Sequence, residues 1–121
     1  MPTPSQETIE ALKKRFPERA LHQVETVICG DEHILLMTSP SQVEYQKYTD
    51  EMLKALELKG ETEKVQALRG AQLRAILAQT RWPDRDEVQR IFEYAPEAVD
   101  EFHKTLREHA GAGAEVRSKK L

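Results

Sequence analysis

The residues of this chain with the means to do chemistry are four histidines, one cysteine and a dense run of carboxylates. His22, His33, His103 and His109 form no HExxH pattern, and no pair is spaced four apart. No helix turn therefore presents paired imidazoles to a metal, and a metal site would need ligands from separate elements without a set of thiolates. Read locally, the histidines are structural or face solvent. Cys29 precedes Gly30, with His22 or His33 within reach across a hairpin. Nothing adjacent marks its thiol as activated, and the expectation is a small buried residue at a strand end. Residues 84 to 103 hold seven acids and two arginines, a charge of −5. Acid–base work would need such carboxylates in a cleft that shifts their protonation, whereas most of these fall on a helix start or an outer face. Residues 104 to 121 hold five basic and two acidic residues, a charge of +3. So abrupt a change of sign suits head-to-tail contact between subunits as well as plain surface charge.

The glycines form no phosphate-binding loop, so no cofactor is expected. Tyr45 and Tyr48 fall at helical spacing, which core packing explains without a ligand. Arg81-Trp82-Pro83-Asp84 stands out more. A bulky aromatic and a proline make a hinge between two helices there, and Arg and Trp are also the residues that most often anchor a partner.

The elements that position these residues follow from caps and periodicity. Thr3-Pro4-Ser5-Gln6 reads as a helix start with Thr3 as cap, and Ile9, Leu12 and Phe16 follow before Pro17 ends it. Leu21 to Ile28 alternates as a half-buried strand does, Gly30-Asp31 signals a turn, and His33 to Thr38 is a second, more apolar strand. Ser39-Pro40-Ser41-Gln42 repeats the capping device and opens a helix over about 40 to 58, which Gly60 stops. A third helix spans about 62 to 80, with Val65, Leu68, Leu73, Ile76 and Leu77 inward. Asp84 caps a fourth, carrying Val88, Ile91 and Phe92, and Pro96 starts a fifth with Val99, Phe102 and Leu106. Residues 111 to 121 read as a loose basic tail. The expected class is α+β, mostly α: an N-terminal helix and a β-hairpin, then a four-helix bundle-like region, in one domain over 1–110. A lone hairpin is marginal in water, so a helix, the bundle or another subunit must cover it.

The 121 residues suit one domain, and 39% hydrophobic with 32% charged residues is a foldable, polar composition. The net charge of −3 weighs against non-specific nucleic-acid binding. One cysteine excludes an internal disulfide and suits a reducing compartment. The longest apolar run, Ile34 to Met37, is four residues and far too short for a membrane span, and the N-terminus lacks the marks of a secretory signal.

The order of signals resembles the tail assembly chaperones of long-tailed bacteriophages and prophages. The resemblance covers about residues 20 to 121. It rests on a hairpin leading through a Pro-marked cap into a Tyr-bearing helix, Ile34-Leu35-Leu36-Met37-Thr38-Ser39-Pro40-Ser41-Gln42-Val43-Glu44-Tyr45. An aromatic-Pro-Asp turn then opens a helix that ends before a second proline, Trp82-Pro83-Asp84-Arg85-Asp86-Glu87-Val88 and Ile91-Phe92-Glu93-Tyr94-Ala95-Pro96. The chain departs from the pattern in its added N-terminal helix, and in lacking a cysteine on the central helix near Thr80.

The resemblance implies a non-enzymatic protein of the bacterial host cytoplasm, absent from the mature virion. It would bind and solubilise the tape-measure protein and help recruit tail-tube protein. Partner contact is expected at Tyr45, Tyr48, Arg81, Trp82, Lys119 and Lys120. The lysine pair also marks a possible slippery codon run for the frameshifted longer form that many of these proteins have. Self-association into a homo-oligomer is expected through the apolar strand Ile34, Leu35, Leu36 and Met37, since open strand edges invite pairing. The alternative is a small helix-turn-helix regulator, but its recognition helix would mix Arg85, Gln89 and Arg90 with Asp84, Asp86, Glu87 and Glu93.

Overall fold

The computed structural model describes residues 3–112 and 117–120. The chain is mixed α+β, with five helices and a three-stranded antiparallel sheet among the described residues. Helix α1 spans Gln6–Arg15 and is followed by strands β1 (Leu21–Ile28) and β2 (Asp31–Thr38). Helices α2 (Gln42–Leu56) and α3 (Glu61–Gln79) come next, then β3 (Thr80–Trp82), α4 (Arg85–Tyr94) and α5 (Ala98–His109).

The hairpin is joined by a two-residue turn, Cys29-Gly30, rather than by Gly30-Asp31: Ile28 pairs with Asp31, and φ is positive at both turn residues, 52° and 86°. That is the primed-turn geometry whose twist matches the flanking strands. Cys29 is consequently exposed, not buried at a strand end.

The expected hairpin gains a third strand. β3 follows α3 without a loop and pairs antiparallel with β2, Leu36 opposite Trp82. β2 is thereby the central strand, with both edges occupied. Leu35 and Met37 point into the helices, and Leu36 is buried on the opposite face, all at 2% exposure or less. These three residues are buried in the chain's own core, and Ile34 alone of the four is only half-buried. A side chain of this size contributes about 1.5–3 kcal/mol when fully buried. β1 carries the simpler alternation, with Val24 and Ile28 packed on the core and Gln23, Glu25 and Val27 exposed.

α3 is the central helix, packed along α2 and α5. Ala71, Ala75, Ile76, Leu77 and Gln79 face inward, whereas Val65 is 52% exposed, contrary to its expected inner position. Val88 and Phe92 of α4 meet Val99, Phe102 and Leu106 of α5 in the core, with the Phe92 and Phe102 rings edge-to-face at 5.0 Å. At the base of the hairpin the His22 and His109 rings stack at 3.6 Å and 9°, tying β1 to the end of α5, and His22 Nε2 lies 2.9 Å from Ser39 Oγ.

Several caps differ from their expected residues. Ser5, not Thr3, caps α1 by accepting from the Thr8 N–H. Ser41, not Ser39, caps α2: its hydroxyl accepts from the Glu44 N–H and the Glu44 carboxylate accepts from the Ser41 N–H, a reciprocal capping box. Gly60 is the N-cap of α3 rather than a stop for α2, and α5 starts at Ala98 behind Glu97 rather than at Pro96. Asp84 caps α4 as expected, accepting from the Glu87 N–H at 3.0 Å. Residues 117–120 have no regular structure and are exposed; 113–116 and 121 of the expected tail lie outside the described residues.

Candidate functional site

The apolar periodicity of α2 puts Tyr45, Tyr48, Met52 and Leu56 along one side of the helix. α3 and α5 close against that side only in part. The result is an open groove of about 270 Å³ lined by Tyr45, Met52, Leu53 and Leu56 of α2, Gln72 of α3, and His103 and Arg107 of α5. Leu53 and Leu56 form its rim and are 54% and 53% exposed. Leu58 and Val65 add further exposed apolar surface on the loop and helix that follow. At its buried end Tyr48 is only 7% exposed.

A polar chain behind the groove holds Tyr48 in place. Gln79 is fully buried; its Nε2 donates to the Tyr48 hydroxyl at 2.6 Å and its Oε1 accepts from the Thr38 hydroxyl at 2.9 Å. Arg81 Nε donates to the same Thr38 oxygen at 3.1 Å, and its guanidinium lies 4.2 Å from the centre of the Phe16 ring. Such a buried chain is costly to leave half made and rigid when complete. Glu44 extends it outward to Arg19, with Nη1 and Oε1 2.8 Å apart.

The surroundings shift the titrating groups in readable directions. Burial raises Tyr48 above the ordinary phenol value, with the Gln79 bond opposing. Burial opposes ionisation of Glu44, but the Ser41 backbone and hydroxyl, the Gln79 amide and Arg19 outweigh it and hold the carboxyl below its usual value. Burial lowers Arg81, and the nearby Arg19 cation adds to this. Burial likewise lowers His103, with Arg107 adding, and lowers His109, with His22 adding. His109 Nδ1 is buried with no hydrogen-bond partner among the described residues, which suits a neutral ring.

The six residues expected to meet a partner do not converge. Tyr45 and Tyr48 line the groove. Arg81 is taken up by Thr38 and Phe16. Trp82 lines a second groove, of about 350 Å³, between β2 and α4. Lys119 and Lys120 sit exposed on the stretch after α5. The rim leucines and Arg107 were not expected as contact residues, and His103 was read only as structural or solvent-facing. The signal that could have found Leu53 and Leu56 is the surplus of apolar residues on α2, which is wider than one buried stripe requires.

Among the described residues no cluster of His, Cys, Asp and Glu could hold a metal ion, and no helix is long and apolar enough to cross a membrane. Comparison with known proteins leaves these residues to speak for themselves: no family model, curated protein or solved structure matches the chain.

Proposed function

We propose that this chain is a tail assembly chaperone of a long-tailed phage or prophage. It works without catalysis, in the cytoplasm of the bacterial host, and is left out of the finished virion. Its clients are the tape-measure protein and, at the handover to tube assembly, the tail-tube protein. The four helices after the hairpin act as one bundle-like unit whose open side receives an apolar helical face.

One observation carries this reading: the groove of α2, α3 and α5, rimmed by the exposed Leu53 and Leu56. A long amphipathic client exposes an apolar stripe before assembly and aggregates through it. A groove with an apolar rim covers part of that stripe, and many copies along one client add avidity without strong single contacts. The resemblance in motif order supplies the identity of the client. The test is co-expression with a tape-measure fragment that is insoluble alone. The wild-type chain should keep it soluble, and Leu53→Glu with Leu56→Glu should not, while retaining the wild-type circular dichroism spectrum. A fragment that precipitates equally with and without the wild-type chain overturns the reading.

A further inference from the structure

An apolar rim explains how the groove of α2, α3 and α5 holds a client but not how it chooses one. We propose that this groove selects an amphipathic helix with a carboxylate on the border of its apolar stripe, and that Arg107 is the residue that reads it. This rests on the chaperone reading above, which supplies a helical occupant.

The two long walls of the groove differ in chemistry. α2 offers Met52, Leu53 and Leu56, whereas α5 offers His103 and Arg107. Burial and the Arg107 cation hold His103 below its ordinary value, so its ring is neutral near pH 7. Arg107 is then the one charged side chain in the lining among the described residues. It is exposed, and no ion pair or side-chain hydrogen bond engages it among those residues. Three and four positions either side of it stand Lys104, Ala110, His103 and Gly111, none of them a carboxylate. The arginines of α3 are spent by contrast, Arg69 on Glu97 and Arg74 on Glu51.

The helix directions place this cation at one end of the groove. Glu51 meets Arg74 and Tyr48 meets Gln79, so α3 runs against α2. Arg69 reaches Glu97 just before α5, so α5 starts near the middle of α3. His109 at the close of α5 stacks on His22, which lies 2.9 Å from Ser39 just before α2. α5 therefore also runs against α2. Arg107 stands towards Tyr45, and Leu56 lies at the far end, about 16 Å along α2 or three turns of a client helix. The carboxylates Glu57 and Asp100 belong to the far end, both exposed and outside the lining. Asp50 and Glu51 lie on the opposite flank of α2.

A client helix that fills the groove covers Arg107 along with the leucines. Without a counter-charge it strips water from the guanidinium at a cost, and a lysine there adds repulsion. A carboxylate beside the stripe instead gives a guanidinium–carboxylate pair. The leucines thus supply the area of contact, and one cation supplies the choice.

Fluorescence anisotropy with two labelled helical peptides tests this on the full chain. Each peptide has about 22 residues, so three turns of an unbroken leucine stripe lie on either side of one central border position. The peptides differ only there, Glu or Lys. Wild type should bind the Glu peptide about fivefold more tightly or better at about 50 mM salt, against its own net charge of −3. The preference should fade by about 500 mM salt while both peptides stay bound. Arg107→Gln should abolish the preference and Arg107→Glu should invert it, with circular dichroism checking the fold. Arg85→Glu, an exposed site on α4 outside the groove, makes the same change of net charge and should leave the preference as it is. Equal binding of both peptides by wild type overturns the selection by Arg107 while the apolar groove stands. A preference that Arg85→Glu shifts as far as Arg107→Glu, or that persists unchanged at 500 mM salt, overturns it too. Binding of neither peptide overturns the groove reading itself and this proposal with it.

Discussion

Two grooves described above, between α2, α3 and α5 and between β2 and α4, are of similar size but are built in opposite ways. The α2–α3–α5 groove has an apolar rim in front of a buried polar chain, Tyr48–Gln79–Thr38–Arg81. The β2–α4 groove has an apolar floor behind exposed carboxylates, Asp31, Glu32 and Glu87. In the first, polar groups fix the walls and leave the contact to apolar area. In the second, apolar groups fix the walls and leave the contact to charge. The lesson is one of selectivity. Apolar contact tolerates many partners and survives salt, whereas a charged rim chooses its partner and fails in salt.

The largest effect should come from Gln79→Ala, which breaks the contrast at its root. It orphans the Tyr48 hydroxyl and the Thr38 donor and leaves a small cavity, at a cost of about 3 kcal/mol in denaturant unfolding. Client solubilisation should fall with it. Trp82→Ala should follow at about 2 kcal/mol, because the ring is only half-buried, and should spare the client. If both substitutions lower client solubilisation equally, the two grooves are not independent.

Acidification should give the smallest effect and sharpen the comparison further. His103 lies in the apolar groove with its pKa lowered from 6.5, first by burial and then by Arg107. The unfolded chain therefore takes up that proton before the folded one does. Stability holds above about pH 6.5 and falls as pH drops through the lowered value of the folded state. His109 is lowered too and adds to the same slope. His103→Phe should flatten part of that slope in unfolding curves measured across this range, and an unchanged slope would remove His103 from the account.

Much of the fold was legible in the residues because the signals are local. Asp84 before an acidic first turn, Pro17 after a short amphipathic run and the alternation of β1 each concern neighbours within about four positions. The cap of α2 is less clear-cut, since Ser39 has Gln42 and Ser41 has Glu44 three residues on, and both fit the capping-box pattern. β3 was not legible: three residues are too few to show a period, and their partner is a strand some forty residues earlier. The turn was disguised because cysteine stands at the left-handed position where Asn or Asp usually precedes glycine. Of the candidate site, the tyrosines were found through their spacing. The rim leucines were not: the surplus of apolar residues on α2 signals that some are left uncovered, but not which ones α3 and α5 will leave.

Composition, periodicity and caps by themselves determined a small α+β chain, the order of its helices, and the opposite charges of its later segments. Tertiary structure alone decided that β2 is central and buried, that Gln79 links Thr38 to Tyr48, and that Trp82 and Tyr45 open on different grooves. The reason is that burial depends on what arrives from distant parts of the chain. A helix face or strand edge is free or covered only once those neighbours have packed, and the residues near it carry no record of which will come.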